Sequence, residues 1–133
     1  MIGSIAGDII GSVHEFSPIK TTDFPLTSPG CTFTADTILA VALADVILRD
    51  GDGADYARTM KEYYSLYPQA GYGANFLRWA QSDDMTPYNS YGNGAAMRIV
   101  PVGFAFNSVD KVLDAAGVKD IGRTVEAGGQ VFP

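Results

Sequence analysis

The chain is poor in the residues that staple a fold, bind soft metals or grip a polyanion. It has one cysteine, Cys31. A single cysteine excludes an internal disulfide and a cysteine-based zinc site. It has one histidine, His14, and nothing nearby supports a Ser-His-Asp triad. His14 stands beside Glu15 on the first helical stretch and reads as a surface side chain. Positive charge is scarce: nine Lys and Arg stand against fifteen Asp and Glu, for a net charge of -6. That balance argues against a nucleic-acid backbone or an anionic membrane as partner. No run of eighteen apolar residues occurs, so no membrane span is expected. The N-terminus lacks a basic segment and carries Asp8 within its apolar stretch. No secretory signal is therefore expected, and a cytoplasmic location follows by default.

What is present suits one domain with a real core. Of the 133 residues 47% are hydrophobic, too many for a disordered segment. Fifteen glycines point to tight turns or close helix contacts. Apolar residues at Ile2, Ile5, Ala6, Ile9, Ile10 and Val13 recur at helical spacing and predict a helix over 2–15. Gly3, Gly7 and Gly11 form a stripe on it. Each costs about 1 kcal/mol relative to alanine, so close approach of another backbone is expected to offset them. Ser4, Asp8, Ser12 and Glu15 form a polar stripe, read as a solvated face. Residues 16–33 are a long connection, broken by Pro18, Pro25, Pro29 and Gly30.

The next stretch, 34–49, is the clearest helix. Thr34 can cap it, Asp36 lies in its first turn, and Ile38 to Leu48 is apolar nearly all round. It should be central, with Gly51 and Gly53 ending it. Further helices are predicted over 54–67 and 74–82. An apolar helix over 94–106 should bend at Pro101, and a short one follows over 109–116. No strand pair is evident.

Four constellations can carry chemistry. Thr34-Ala35-Asp36-Thr37 offers hard oxygen ligands at a helix start, suited to Mg²⁺ or Mn²⁺. An ordinary N-cap with a first-turn acid accounts for the same spacing. Tyr88-Asn89-Ser90-Tyr91-Gly92-Asn93-Gly94 precedes an apolar helix and resembles a phosphate cradle in kind. A plain turn with Asn and Gly at left-handed positions fits equally. Gly71-Tyr72-Gly73 alone reads as a turn between helices. Arg98, inside an apolar helix, needs a carboxylate or carbonyl partner if buried, and either orders the core around a site or reaches a ligand.

The order of these pieces says more than any one of them. Gly3, Gly7-Asp8, Gly11 and Glu15 come first, then Phe33-Thr34-Ala35-Asp36-Thr37. Gly71-Tyr72-Gly73 with Phe76 and Trp79 follows, then Ser90-Tyr91-Gly92-Asn93-Gly94-Ala95-Ala96-Met97-Arg98 with Pro101. This succession resembles the ADP-ribosyl-glycohydrolase family, that of dinitrogenase-reductase-activating glycohydrolase and the ADP-ribosyl-acceptor hydrolases. The resemblance runs from about residue 3 to 116. It implies an all-α fold, here a partial orthogonal helical bundle like the N-terminal half of that family's fold. It also implies two Mg²⁺ or Mn²⁺ ions and cleavage of the bond between ADP-ribose and a modified acceptor protein. By motif, Thr34 and Asp36 would be metal ligands and Glu15 the catalytic acid or base. Ser90, Tyr91, Gly92 and Asn93 would hold the diphosphate, and Gly71 and Gly73 would line the ADP-ribose site.

Two departures from the family shape the expectation. Family members carry two consecutive acids after the threonine, whereas this chain has Ala35 in the first of those places. A dinuclear site short of a charged ligand should lose affinity for at least one ion. The family chain is also about twice as long, and 117–133 does not follow its pattern. The domain is therefore drawn as 1–116 with a divergent tail over 117–133. The expectation is a family-type fold with impaired hydrolysis. The alternative is a non-catalytic module that binds ADP-ribose or a protein, with a homo-oligomer covering apolar surface left open by half a bundle.

Overall fold

The computed structural model describes residues 1–86, 88 and 92–116. Among them the chain is helical with no strand, a partial all-α bundle. Seven helices follow in order: α1 Ile2–Gly11, α2 Ala35–Leu48, α3 Gly53–Leu66, α4 Ala74–Ala80, α5 Gly94–Arg98, α6 Val100–Ala105 and α7 Val109–Ala116. A single 3-10 turn, Ser12–His14, extends α1. No helix among the described residues is long and apolar enough to cross a membrane.

The centre is α2, as its all-round apolar sequence predicts. It packs against α1, α3, α5 and α6, and Ala42, Leu43 and Val46 are fully buried. One part of the core gathers Ile38, Leu39 and Ala42 of α2 with Ala57 and Met60 of α3 and an aromatic group, Tyr72, Phe76 and Trp79. Tyr72 stacks on Phe76 with centroids 5.0 Å apart, and Tyr64 meets Tyr72 edge-on. The other part joins Leu43 to Val102 of α6. Trp79 Nε1 donates to the Thr86 carbonyl at 2.9 Å, and the Lys61 ammonium lies over the Trp79 ring. The first contact holds the polar loop after α4 against the core, and the second ties α3 to α4.

Several local readings are sharpened or overturned. The predicted helix over 94–106 is cut in two at Ile99, with Pro101 in the first turn of α6. Proline suits that first turn because its missing N–H has no partner there. The long connection 16–33 is tied down at its ends. Thr32 N donates to Ser12 Oγ at 3.1 Å, and His14 packs edge-on against Phe24 at 5.5 Å. His14 is thus half-buried rather than a free surface side chain.

The end of α2 is not built as the glycines suggest. Asp50 takes the left-handed conformation, with φ 52°. Gly51 is needed instead for space, since a Cβ there would fall 2.7 Å from Val46 Cγ1. Gly53 opens α3, which Asp52 and Asp55 start with a reciprocal capping box. The glycine stripe of α1 also differs from expectation. Among the described residues nothing lies within 4 Å of a Cβ built at Gly3, Gly7 or Gly11, so no backbone packs on the stripe.

These two glycine settings predict opposite responses. Gly51→Ala is expected to lower stability by about 1–3 kcal/mol, because Val46 and Asp55 must shift. Gly7→Ala is expected to raise it by about 0.5–1 kcal/mol, because a helical glycine in open space gains only from the change. Urea midpoints of the two variants against the parent chain check both signs.

Candidate functional site

The site is organised by a carboxylate that crosses from one helix to the start of another. Asp8 projects from α1 to the N-terminus of α2. Its Oδ1 accepts from Thr34 Oγ1 at 2.6 Å. Its Oδ2 accepts from Thr34 N at 2.8 Å, from Thr37 N at 3.3 Å and from Thr37 Oγ1 at 2.6 Å. Thr34 is the N-cap in extended conformation, and its hydroxyl accepts from Asp36 N at 3.3 Å. Ala35 N donates to the Ala70 carbonyl at 2.6 Å. A helix N-terminus leaves four backbone N–H groups without intrahelical partners. Here Thr34, Ala35, Asp36 and Thr37 all find one, supplied by three separate segments of chain. The N-cap and first-turn acid expected from sequence are present. Asp8, read as part of a solvated stripe, is instead the hub.

Two cavities meet at this corner. The first, about 530 Å³, lies between the start of α2, the 71–73 turn, α4 and the start of α5. Glu15, Asp36, Gly71, Gly73, Gly92 and Asn93 all line it. The second, about 560 Å³, runs along α1, where Gly7 and Gly11 form part of its wall beside Asp8 and Thr34. Glu15, Asp36, Asn93 and Met97 belong to both. Gly71 has φ 82°, a left-handed turn that only glycine takes without strain. That turn carries Ala70 to its bond with Ala35 and sets Tyr72 into the core. Ser90 and Tyr91 lie outside the described residues.

The electrostatics of the corner are one-sided. Partial burial raises the pKa of Asp36 above the ordinary carboxylate value, and Asp8 and then Glu15 raise it further. On the far wall Arg98 is buried, 4% exposed. Burial lowers its pKa, offset by Tyr88. Burial raises the Tyr88 phenol, offset in turn by Arg98. Tyr72 also lines the first cavity, and burial pushes its phenol up to about 12. Its hydroxyl is buried without a hydrogen-bond partner among the described residues.

Sequence reasoning named Glu15, Thr34, Asp36, Gly71, Gly73, Gly92 and Asn93. The fold brings all but Thr34 to the first cavity, and Thr34 to the second. It missed Asp8 as the organising residue and Tyr72 and Tyr88 as walls. The available signal for Asp8 was its place in the first motif, directly after Gly7 and within an apolar stretch. Its partners lie 26 and 29 residues away, a distance no helical periodicity reports. Among the described residues, no group of three His, Cys, Asp or Glu side chains converges in a way that could hold a metal ion.

The sequence that builds this cleft matches a known class of hydrolase. The family model for ADP-ribosylglycohydrolase matches residues 1–124, and the chain belongs to that family. ADP-ribosylhydrolase ARH3 of Xenopus tropicalis is 24% identical over 143 residues, covering 87% of this chain and 41% of that protein. The chain thus spans about two-fifths of the length of this relative.

Two measurements probe the corner. Asp8→Ala should cost at least about 3 kcal/mol, since four donors lose a charged acceptor together. Guanidinium unfolding checks it, and a loss within about 0.5 kcal/mol would show that water replaces the carboxylate. For Asp36 the raised pKa means that the folded chain holds the proton more tightly than the unfolded chain. Its contribution is full below the ordinary carboxylate value and is lost as pH rises through the raised one. Asp36→Asn removes that loss, so in unfolding experiments run across pH the variant should gain stability relative to the parent chain as pH rises above the ordinary carboxylate value.

Proposed function

We propose that this chain recognises ADP-ribose through its first cavity, and that hydrolysis of the bond from ADP-ribose to an acceptor protein is impaired in it. The observation that carries the reading is the convergence of four sequence segments on one cleft. Glu15, Asp36, the Gly71–Gly73 turn and the Gly92–Gly94 turn are far apart in sequence and share one wall of space. Membership of the ADP-ribosylglycohydrolase family supplies the ligand class.

The chemistry of the lining fits that ligand class in part. Glycine turns let backbone N–H groups approach a diphosphate without lysine or arginine, in keeping with an acidic protein. Gly92, Asn93 and Gly94 line the cavity at such a turn. Helix α5 behind them has only five residues, so the recognition rests on the turn rather than on a long helix dipole. Tyr72 and Tyr88 offer aromatic surface on the same walls. Glu15 is exposed at the junction of the two cavities. Its carboxylate is placed to accept or return a proton, and a glycosidic transition state gains from nearby negative charge. The impairment is assigned to Ala35, a methyl where an acid is expected beside Asp36.

A second reading is favoured by one observation. Helix α1 has no buried residue, and Ile2, Phe104, Val109 and Leu113 are all strongly exposed. Such apolar surface suits association with another protein, a second copy included.

Isothermal calorimetry with ADP-ribose tests the first reading. Saturable binding at or below about millimolar ligand is expected, weakened at least about tenfold by Asn93→Ala. No heat at that concentration removes the recognition claim. Turnover of an ADP-ribosylated peptide at about 1 s⁻¹ or faster would remove the impairment claim. Light scattering of the same sample tests association, and a clean monomer at high concentration removes the self-association form of the second reading.

A further inference from the structure

The start of α2 is a closed hydrogen-bond hub, and we infer that this chain binds no divalent cation pair there. This deepens the reading of the cleft as an ADP-ribose site by stating what that site works without. A carboxylate has about four acceptor positions. Three donors from Thr34 and Thr37 crowd Oδ2 of Asp8 and a fourth takes Oδ1, so at most one position, on Oδ1, is left. The Thr34 hydroxyl gives its proton to Asp8 and accepts from Asp36 N, so one lone pair is left on it. Ala35 offers none. It is 7% exposed, packed in the same core group as Tyr72 and Phe76, and fixed through its N–H to Ala70.

Counting what remains gives the outcome. Among the described residues two carboxylates with both oxygens open, Asp36 and Glu15, are left on this side of the cleft, beside one position on Asp8 Oδ1 and the lone pairs of the Thr34 and Thr37 hydroxyls. A pair of Mg²⁺ or Mn²⁺ ions wants near-octahedral oxygen shells, with carboxylates to offset four positive charges. Two carboxylates cannot do that for two ions. The hub is as closed to anions as to cations, because its backbone N–H groups are already used. A diphosphate would then be held by the glycine turn across the cavity. Asp8 thus acts as an internal brace, holding Thr34 and Asp36 in place by hydrogen bonds rather than through an ion.

The test uses the metal alone, so it can fail without the ADP-ribose reading failing, and the reverse. Mn²⁺ is titrated into the intact chain and the free ion followed by electron paramagnetic resonance. The expected result is at most one saturable site per chain below about 1 mM, in the parent and in Asp36→Asn alike. Asp36 is exposed, so this variant keeps the fold. Two saturable sites in the parent, reduced in number in Asp36→Asn, would overturn the inference. The same titration on Ala35→Asp, with circular dichroism to verify the fold, addresses the cause. Binding at least about tenfold tighter than the parent is expected. Binding as weak as the parent's in a folded Ala35→Asp chain would overturn the assignment of the defect to Ala35.

Discussion

The open end of a helix is an electrical and chemical problem. Four N–H groups point out of the first turn, and in a half-buried position water cannot serve them freely. In this chain α2 is the helix around which the others gather, so its N-terminus has to be closed by protein. Asp8 supplies most of that closure from another helix. A charged acceptor is worth more than a neutral one here, because its bonds are short and charge-assisted. The consequence spreads outward. Fixing Thr34 and Thr37 to Asp8 sets the angle between α1 and α2, and the bond from Ala35 to Ala70 sets the 71–73 turn against the same end. The two cavities are what is left between elements so held.

This brace also shapes the functional reading. The corner holds Asp8, Glu15 and Asp36 near one another, and Asp36 carries the electrostatic cost of the arrangement. Asp8 accepts from four donors, while Glu15 is exposed at the junction of the cavities. A cleft so built has glycine turns and tyrosines among its walls. The chain belongs to the ADP-ribosylglycohydrolase family. Recognition asks only that the walls be in place. Bond cleavage asks in addition for charge placed to within a fraction of an ångström at the reacting atoms.

Much of the helical order was legible beforehand because it is written in local terms. Apolar spacing marked α2 and α3, Thr34 and Asp36 marked the start of α2, and Pro101 marked the division between α5 and α6. The glycines were less easily read. Gly51 looks like the residue that turns the chain out of α2, yet Asp50 makes the left-handed turn and Gly51 makes room for Val46. The stripe on α1 looks like a helix contact, yet Gly7 and Gly11 wall a cavity. A glycine reports that something forbids or disfavours a side chain, but not whether that something is a torsion angle or a neighbour.

The sequence by itself determined the helices and the central place of α2, because capping and periodicity act within a turn or two of chain. It also determined the lack of an acid at Ala35, since composition at one position needs no fold. The tertiary structure decided what Asp8 is. On its own helix it is one polar residue in a stripe, and only when α1 lies against the start of α2 do Thr34 and Thr37 come within reach. The same packing decided that Glu15, Asp36, Gly71 and Asn93 face one cavity. Those relations span tens of residues, and they exist only once the apolar core of α2 has drawn the separate segments together.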